Sequence, residues 1–270
     1  MQLTRASRLA LLALPWLSLP AVAQTDDDEW VRRCERDEGD RERVCVVRVE
    51  RVPARDLLRV DGGENGGASV TGWDREEIEI HARIQASAGE LDDARALAEA
   101  ISITTDDVIE ADGPATGRRE HWSVTFVVYV PRRTDLDVRA HNGPVSASDV
   151  SGRLVLETHN GPVMLHEVSG DVRASTRNGP LSVTLSGDRW NGEGLDASTQ
   201  NGPVVLEIPE NYSAELETGT VNGPMRIDFP MQVTIQGRVG RNLRTTLGSG
   251  GPMVSATTHN GPLTLRRPGG

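Results

Sequence analysis

The side chains able to do chemistry in this chain are six histidines, two cysteines and 40 carboxylates, for every one of its 29 basic residues is arginine. Without lysine there is neither a Schiff-base amine nor a phosphate-loop ammonium. His81, His121, His141, His159, His166 and His259 are accompanied by no Gly-x-Ser-x-Gly elbow and no cysteine set as a nucleophile. His141 and His159 occupy equivalent places in a repeat, a spacing open to a surface two-histidine metal site. No carboxylate or third histidine recurs with them and the same column accepts Val221, so it reads as an exposed row. Asp149, Glu157, Glu167 and Asp171 are scattered over turn and outward positions, not clustered as glycan cleavage or calcium binding would need. The expectation is a chain with no catalytic, metal or cofactor site.

Cys34 and Cys45 are the only cysteines. The residues between them are mostly charged and offer no further soft ligand, so a structural disulfide is the preferred reading, contributing about 2–3 kcal/mol by the loop-entropy argument. Such a bridge needs an oxidising compartment. Residues 1–23 supply the route: Arg5 and Arg8, the apolar run Leu9 to Leu14, prolines at 15 and 20, and the small-residue ending Ala21-Val22-Ala23 read as a secretory signal peptide cleaved before Gln24. The apolar run is too short and too broken by proline to span a bilayer. The net charge of −11 becomes −11 − 2 = −13 once Arg5 and Arg8 are gone, which argues against nucleic acid as a partner.

The elements that must position these groups are mostly strands. Residues 24–43 are almost wholly charged and read as a flexible tail. Residues 44–131 read as a strand-rich N-terminal region with period-two alternation, as in Ile78, Ile80, Ala82 and Ile84, and with one helix over about 90–101, where Leu91, Ala94, Leu97, Ala98 and Ile101 share a face. From 132 to 267 the chain repeats. Asn-Gly-Pro begins at Asn142, Asn160, Asn178, Asn201, Asn222 and Asn260, with separations of 18, 18, 23, 21 and 38 residues. Three residues after each Asn stand Val145, Val163, Leu181, Val204, Met225 and Leu263; two before come Thr158, Thr176, Thr199, Thr220 and Thr258, with Ala140 in the first copy.

Each repeat is therefore strand, corner, strand, with one apolar face, and the recurrence predicts an all-β protein whose repeats stack as successive coils of a parallel β-solenoid. The asparagines would lie one above another and could exchange amide hydrogen bonds as a ladder, with a ligand-binding asparagine row as the alternative. Extra residues collect at the opposite corner, around Ser186–Gly194 and Pro209–Tyr212. Trp190 and Tyr212 stand on these enlarged corners. They are candidates for stacking on a sugar or anchoring a protein, or for folding back to cap the solenoid.

His159-Asn160-Gly161-Pro162-Val163 followed by Val168-Ser169-Gly170-Asp171, and Leu247-Gly248-Ser249-Gly250-Gly251 before the last repeat, resemble a bacterial putative-adhesin family of unknown function, as does Val70-Thr71-Gly72-Trp73-Asp74 upstream. The resemblance covers roughly residues 44–267. It implies a β-solenoid and an adhesin role and brings no catalytic residues. The leading functional expectation is a non-catalytic, exported adhesin-like or cell-envelope protein that presents a rigid surface. Two others stand beside it: a periplasmic envelope-associated binding or regulatory module recognising a glycan or protein, and self-association through the solenoid ends.

Overall fold

The structure is a computed structural model that describes residues 21–36, 40–228 and 241–269. The expected signal peptide lies almost wholly outside the described residues. The rest is an all-β molecule of two facing sheets with two helices and one small hairpin, Ser102–Thr104 with Glu110–Asp112.

From Asp135 onward the chain alternates between the two sheets. One strand of each repeat, such as Ser151–Thr158, joins an eight-stranded sheet, and the strand after the corner, such as Val163–His166, joins a ten-stranded one. Pairing between repeats is parallel and in register: Val145 opposes Val163, Val163 opposes Leu181, and Leu181 opposes Val204. All four are fully buried, as are Leu136, Leu154 and Leu156 on the facing sheet. Burying each is worth about 1.5–3 kcal/mol, so a narrow interior of aliphatic columns suffices, and aromatics are few.

Both sheets are mixed. Glu42–Pro53, Glu77–Ala88 and His121–Pro131 pair antiparallel at one end of the ten-stranded sheet, and Asn242–Leu247 pairs antiparallel with Ala214–Asn222 at one end of the other. Nor do the repeats stack wholly in chain order. The strand Met253–Asn260 inserts between Gly194–Asn201 and Ala214–Asn222, so the last repeat lies between the fourth and the fifth. The stack also begins earlier than the tripeptide does: Leu57–Asp61 and Ala68–Trp73, joined through Gly62–Gly67, pair parallel with Asp135–Ala140 and Val145–Ser148.

Within the charged segment expected to be a flexible tail, the described residues up to Arg36 belong to a helix, α1 (Ala21–Arg36), and a strand begins at Glu42. Its own composition does not explain this; distant partners do. The Cys34–Cys45 disulfide ties α1 to the sheet. Asp27, in its second turn, is 8% exposed and meets His81 Nδ1 and the Arg83 guanidinium of the strand Glu77–Ala88. The second helix, α2 (Leu91–Ala100), buries Ala94, Leu97 and Ala98. Its last carbonyls are capped from outside: Arg48 donates to Ala98 O at 2.9 Å and also to Ile101 O, a favourable place for a cation at the negative end of the helix dipole. Among the described residues no helix is long and apolar enough to cross a membrane.

Candidate binding groove

Two sets of hydrogen bonds build the corners. Asn160 Nδ2 donates to Asn142 Oδ1 and Asn178 to Asn160, both at 2.7 Å. Asn201 then donates to Asn178 at 2.9 Å, Asn260 to Asn201 at 2.8 Å and Asn222 to Asn260 at 2.8 Å. The row is a ladder, and Asn142 extends it to Asn65 Oδ1 at 3.3 Å. Asn65 is a rung outside the Asn-Gly-Pro repeat, in a corner that lacks the proline; its signal in the sequence is the Asn65-Gly66 dipeptide inside the glycine-rich loop.

Beneath the ladder, each threonine two residues before a repeat Asn donates to the corner glycine of the neighbouring repeat. Thr158 reaches Gly143 O at 2.9 Å, Thr176 reaches Gly161 O at 2.8 Å, and Thr258 reaches Gly202 O at 2.9 Å. The glycines are required by space. A Cβ on Gly161 would lie 2.0 Å from Gly143 O, and one on Gly202 would lie 2.0 Å from Gly179 O.

On the outside of the eight-stranded sheet, just before these corners, runs an open groove of about 760 Å³. Its shape follows from strand alternation. Thr158, Thr176 and Thr199 point inward, leaving backbone as the floor, while the residues on either side point out and form two walls. One wall is Arg139, Glu157, Ser175 and Ser198; the other is His159, Arg177, Gln200 and His259. His141 continues the second wall, its ring stacked on that of His159 with centroids 4.9 Å apart and planes 9° from parallel. The structure thus brings together the column that the sequence reads as an exposed row.

The arginines of the groove differ electrostatically. Arg139 Nε bonds Asp137 Oδ1 at 2.9 Å and lies 3.9 Å from Glu157. Arg177 has no hydrogen-bond or ion-pair partner among the described residues, so its guanidinium is available to a ligand.

Trp190 and Tyr212, the aromatic candidates, are 3% and 4% exposed. This corrects their reading as an outward recognition surface. The two enlarged corners fold onto each other, with a bridge between Arg189 and Ser213 and a Ser213 N to Asp188 O bond of 2.8 Å, and both rings turn into the core. Trp190 Nε1 donates to Gly170 O at 3.1 Å. Burial, with a smaller effect of the Asp188 charge, pushes the Tyr212 hydroxyl up to about 12.

A buried ionic cluster under α1 carried no sequence signal. Glu79 is fully buried and accepts from Arg51 Nε at 2.7 Å, while its other oxygen faces His81 Nε2 at 2.9 Å. Burial raises its pKa, but the hydrogen bonds from His81 and Arg51 outweigh this and hold the carboxyl below its ordinary value. With Asp27 on the other ring nitrogen, the cluster is closed off by α1 and serves to dock it. Among the described residues no group of three or more His, Cys, Asp or Glu is placed to hold a metal ion. Asp149, Glu157 and Asp171 make separate local ion pairs with Arg132, Arg139 and Arg173, and Glu167 lies 3.6 Å from His166 Nε2.

The family model described as Toastrack DUF4097 matches residues 130–266. No curated protein matches the chain. Among solved structures, a putative cell adhesion protein from Clostridium sporogenes is similar over 83% of this chain and 100% of its own, at 10% identity and a TM-score of 0.44. A putative adhesin from Bacteroides fragilis is similar over 82% of this chain and 97% of its own, at 13% identity and a TM-score of 0.38. Another from Parabacteroides distasonis covers the same shares at 8% identity and a TM-score of 0.31.

Proposed function

The chain belongs to the Toastrack DUF4097 family, and from that premise we propose that it is an exported, non-catalytic, adhesin-like β-solenoid that holds a partner at the cell envelope. The observation that carries this reading is the in-register stack. Ladders of asparagine, threonine and aliphatic columns fix the backbone, and a rigid face of repeated outward rows suits an extended partner. The Cys34–Cys45 bridge and the leader-like residues 1–23 support an extracytoplasmic location.

The purified chain without residues 1–23, immobilised and exposed to cell-envelope polysaccharide, should retain it without shortening it. Turnover of that polysaccharide, abolished by replacing a single carboxylate, would overturn the non-catalytic reading. Fusing residues 1–23 to a reporter active only outside the cytoplasm should give activity, and an inactive, well-expressed fusion would remove the export reading. A second reading, an envelope-associated binding or regulatory module for a glycan or a protein, draws on the groove rather than on Trp190 and Tyr212. Self-association through the ends of the stack is tested by sedimentation: a single monomeric species at high concentration would dismiss it.

A further inference from the structure

We propose that the groove beside the corners binds an acidic saccharide laid along the stack, with a sugar carboxylate seated on Arg177. The inference deepens the partner-holding reading above and rests on it.

Three features of the groove select this chemistry. The first is charge. The chain as a whole is acidic, yet this wall presents Arg177 with no partner among the described residues, flanked by the imidazole of His159 and the amide of Gln200 in neighbouring coils. Arg139 opposite is already neutralised. A free guanidinium fork matches a carboxylate with two parallel hydrogen bonds.

The second is the lining. Ser175, Ser198 and Gln200 offer hydroxyl and amide groups, and apart from the histidine rings the lining carries no Trp, Tyr, Phe, Leu, Ile or Met anchor of the kind on which protein interfaces depend. Such a lining satisfies sugar hydroxyls better than it buries a protein segment. The third is direction. Equivalent side chains recur once per coil, about 4.8 Å apart, so the donors form a straight line that suits a linear polymer of repeating units. The floor is held flat by the threonine bonds to the corner carbonyls.

The test uses the purified chain, oligogalacturonate as the probe and calorimetric titration. Oligogalacturonate should bind saturably, and its fully methyl-esterified form, with the same sugars and no charge, should bind at least about tenfold more weakly, as expected for loss of a charge-assisted pair. Arg177→Val should produce a similar loss for the acidic probe. It should also melt with the wild-type protein, because Val221 already occupies the same column. Gln200→Ala should weaken binding by a smaller factor.

Equal binding of the esterified and free probes, or wild-type affinity in a folded Arg177→Val chain, would overturn the proposal. So would saturable binding of polyphosphate with none of oligogalacturonate, which would assign the groove to a phosphate polymer. Failure of both probes to bind refutes the groove assignment. It leaves the export and envelope reading to stand or fall on the reporter fusion and the retention assay.

Discussion

Asn260 donates its side-chain amide to Asn201 at 2.8 Å although 59 residues separate them, and Asn222, which lies between them in the chain, stands on the far side of Asn260 at 2.8 Å. The ladder is continuous in space where the chain is not. The last repeat is held from both sides, since Thr258 donates to Gly202 O and Thr220 to Gly261 O. The order of assembly is thereby constrained: the fifth repeat gains its parallel neighbour only after the sixth has inserted.

Removing an inner rung of this ladder should cost more than removing the end one. Asn178 both donates to Asn160 and accepts from Asn201, whereas Asn222 donates to Asn260 alone. At about 0.5–1.5 kcal/mol per hydrogen bond, Asn178→Ala should lose roughly 1–3 kcal/mol and Asn222→Ala about half as much, measured by urea unfolding. Equal losses would mean that the amide bonds do not set the stability of the corners.

The corner glycines make a sharper case because sterics alone decide it. Gly161 is not at positive φ, yet a Cβ there would lie 2.0 Å from Gly143 O. Gly161→Ala must spread two repeats apart and should cost about 4 kcal/mol or more, seen as a chain that no longer unfolds cooperatively. Gly63 is the contrast, with φ of 68° and nothing within 4 Å of a new Cβ. Gly63→Ala should cost only about 1–2 kcal/mol.

The corners and the interior columns were legible because like residues recur at like spacing: Val145, Val163 and Leu181 are opposed as their period implies. A period does not say which repeat pairs with which, so the place of Asn260 is hidden, although its separation of 38 residues from Asn222 is about two repeats long. The order of α1 was illegible for another reason. Its charged residues cannot bury themselves, and Asp27 is ordered by His81 and Arg83, 54 and 56 residues away. For Trp190 and Tyr212 the sequence leaves an outward and a folded-back reading open, because an insertion does not show which way it turns; the Asp188 to Ser213 bond folds it inward.

Glu79 makes stability fall at low pH. Its carboxyl is held below the ordinary value in the folded chain, so its contribution is complete above the unfolded value of about 4.3 and is lost as pH falls through the lower folded one. At neutral pH Glu79→Gln should cost about 3–5 kcal/mol, as for breaking a buried ion pair. The gap between variant and wild type in urea unfolding should narrow below about pH 4. A gap constant with pH would show that the charge of Glu79 does not contribute.

Trp190 and Tyr212 act on stability. Trp190→Ala should cost about 3–5 kcal/mol, as for a large core side chain. Tyr212 answers at the alkaline end. The chain has two tyrosines, and burial pushes both hydroxyls up, with Asp26, Asp27 and Glu79 adding to the effect at Tyr129 against Arg83, and Asp188 adding to it at Tyr212, which reaches about 12. An unfolded tyrosine ionises near 10, so this contribution is whole below pH 10 and falls by about 1.4 kcal/mol per pH unit as pH rises towards the folded value. Absorbance of the folded chain should show little tyrosinate near pH 10, with ionisation and unfolding arriving together above it. In a Tyr129→Phe chain, which keeps Tyr212 as its one tyrosine, a reversible wave centred near 10 with the fold intact would place Tyr212 in solvent and restore it as a surface residue.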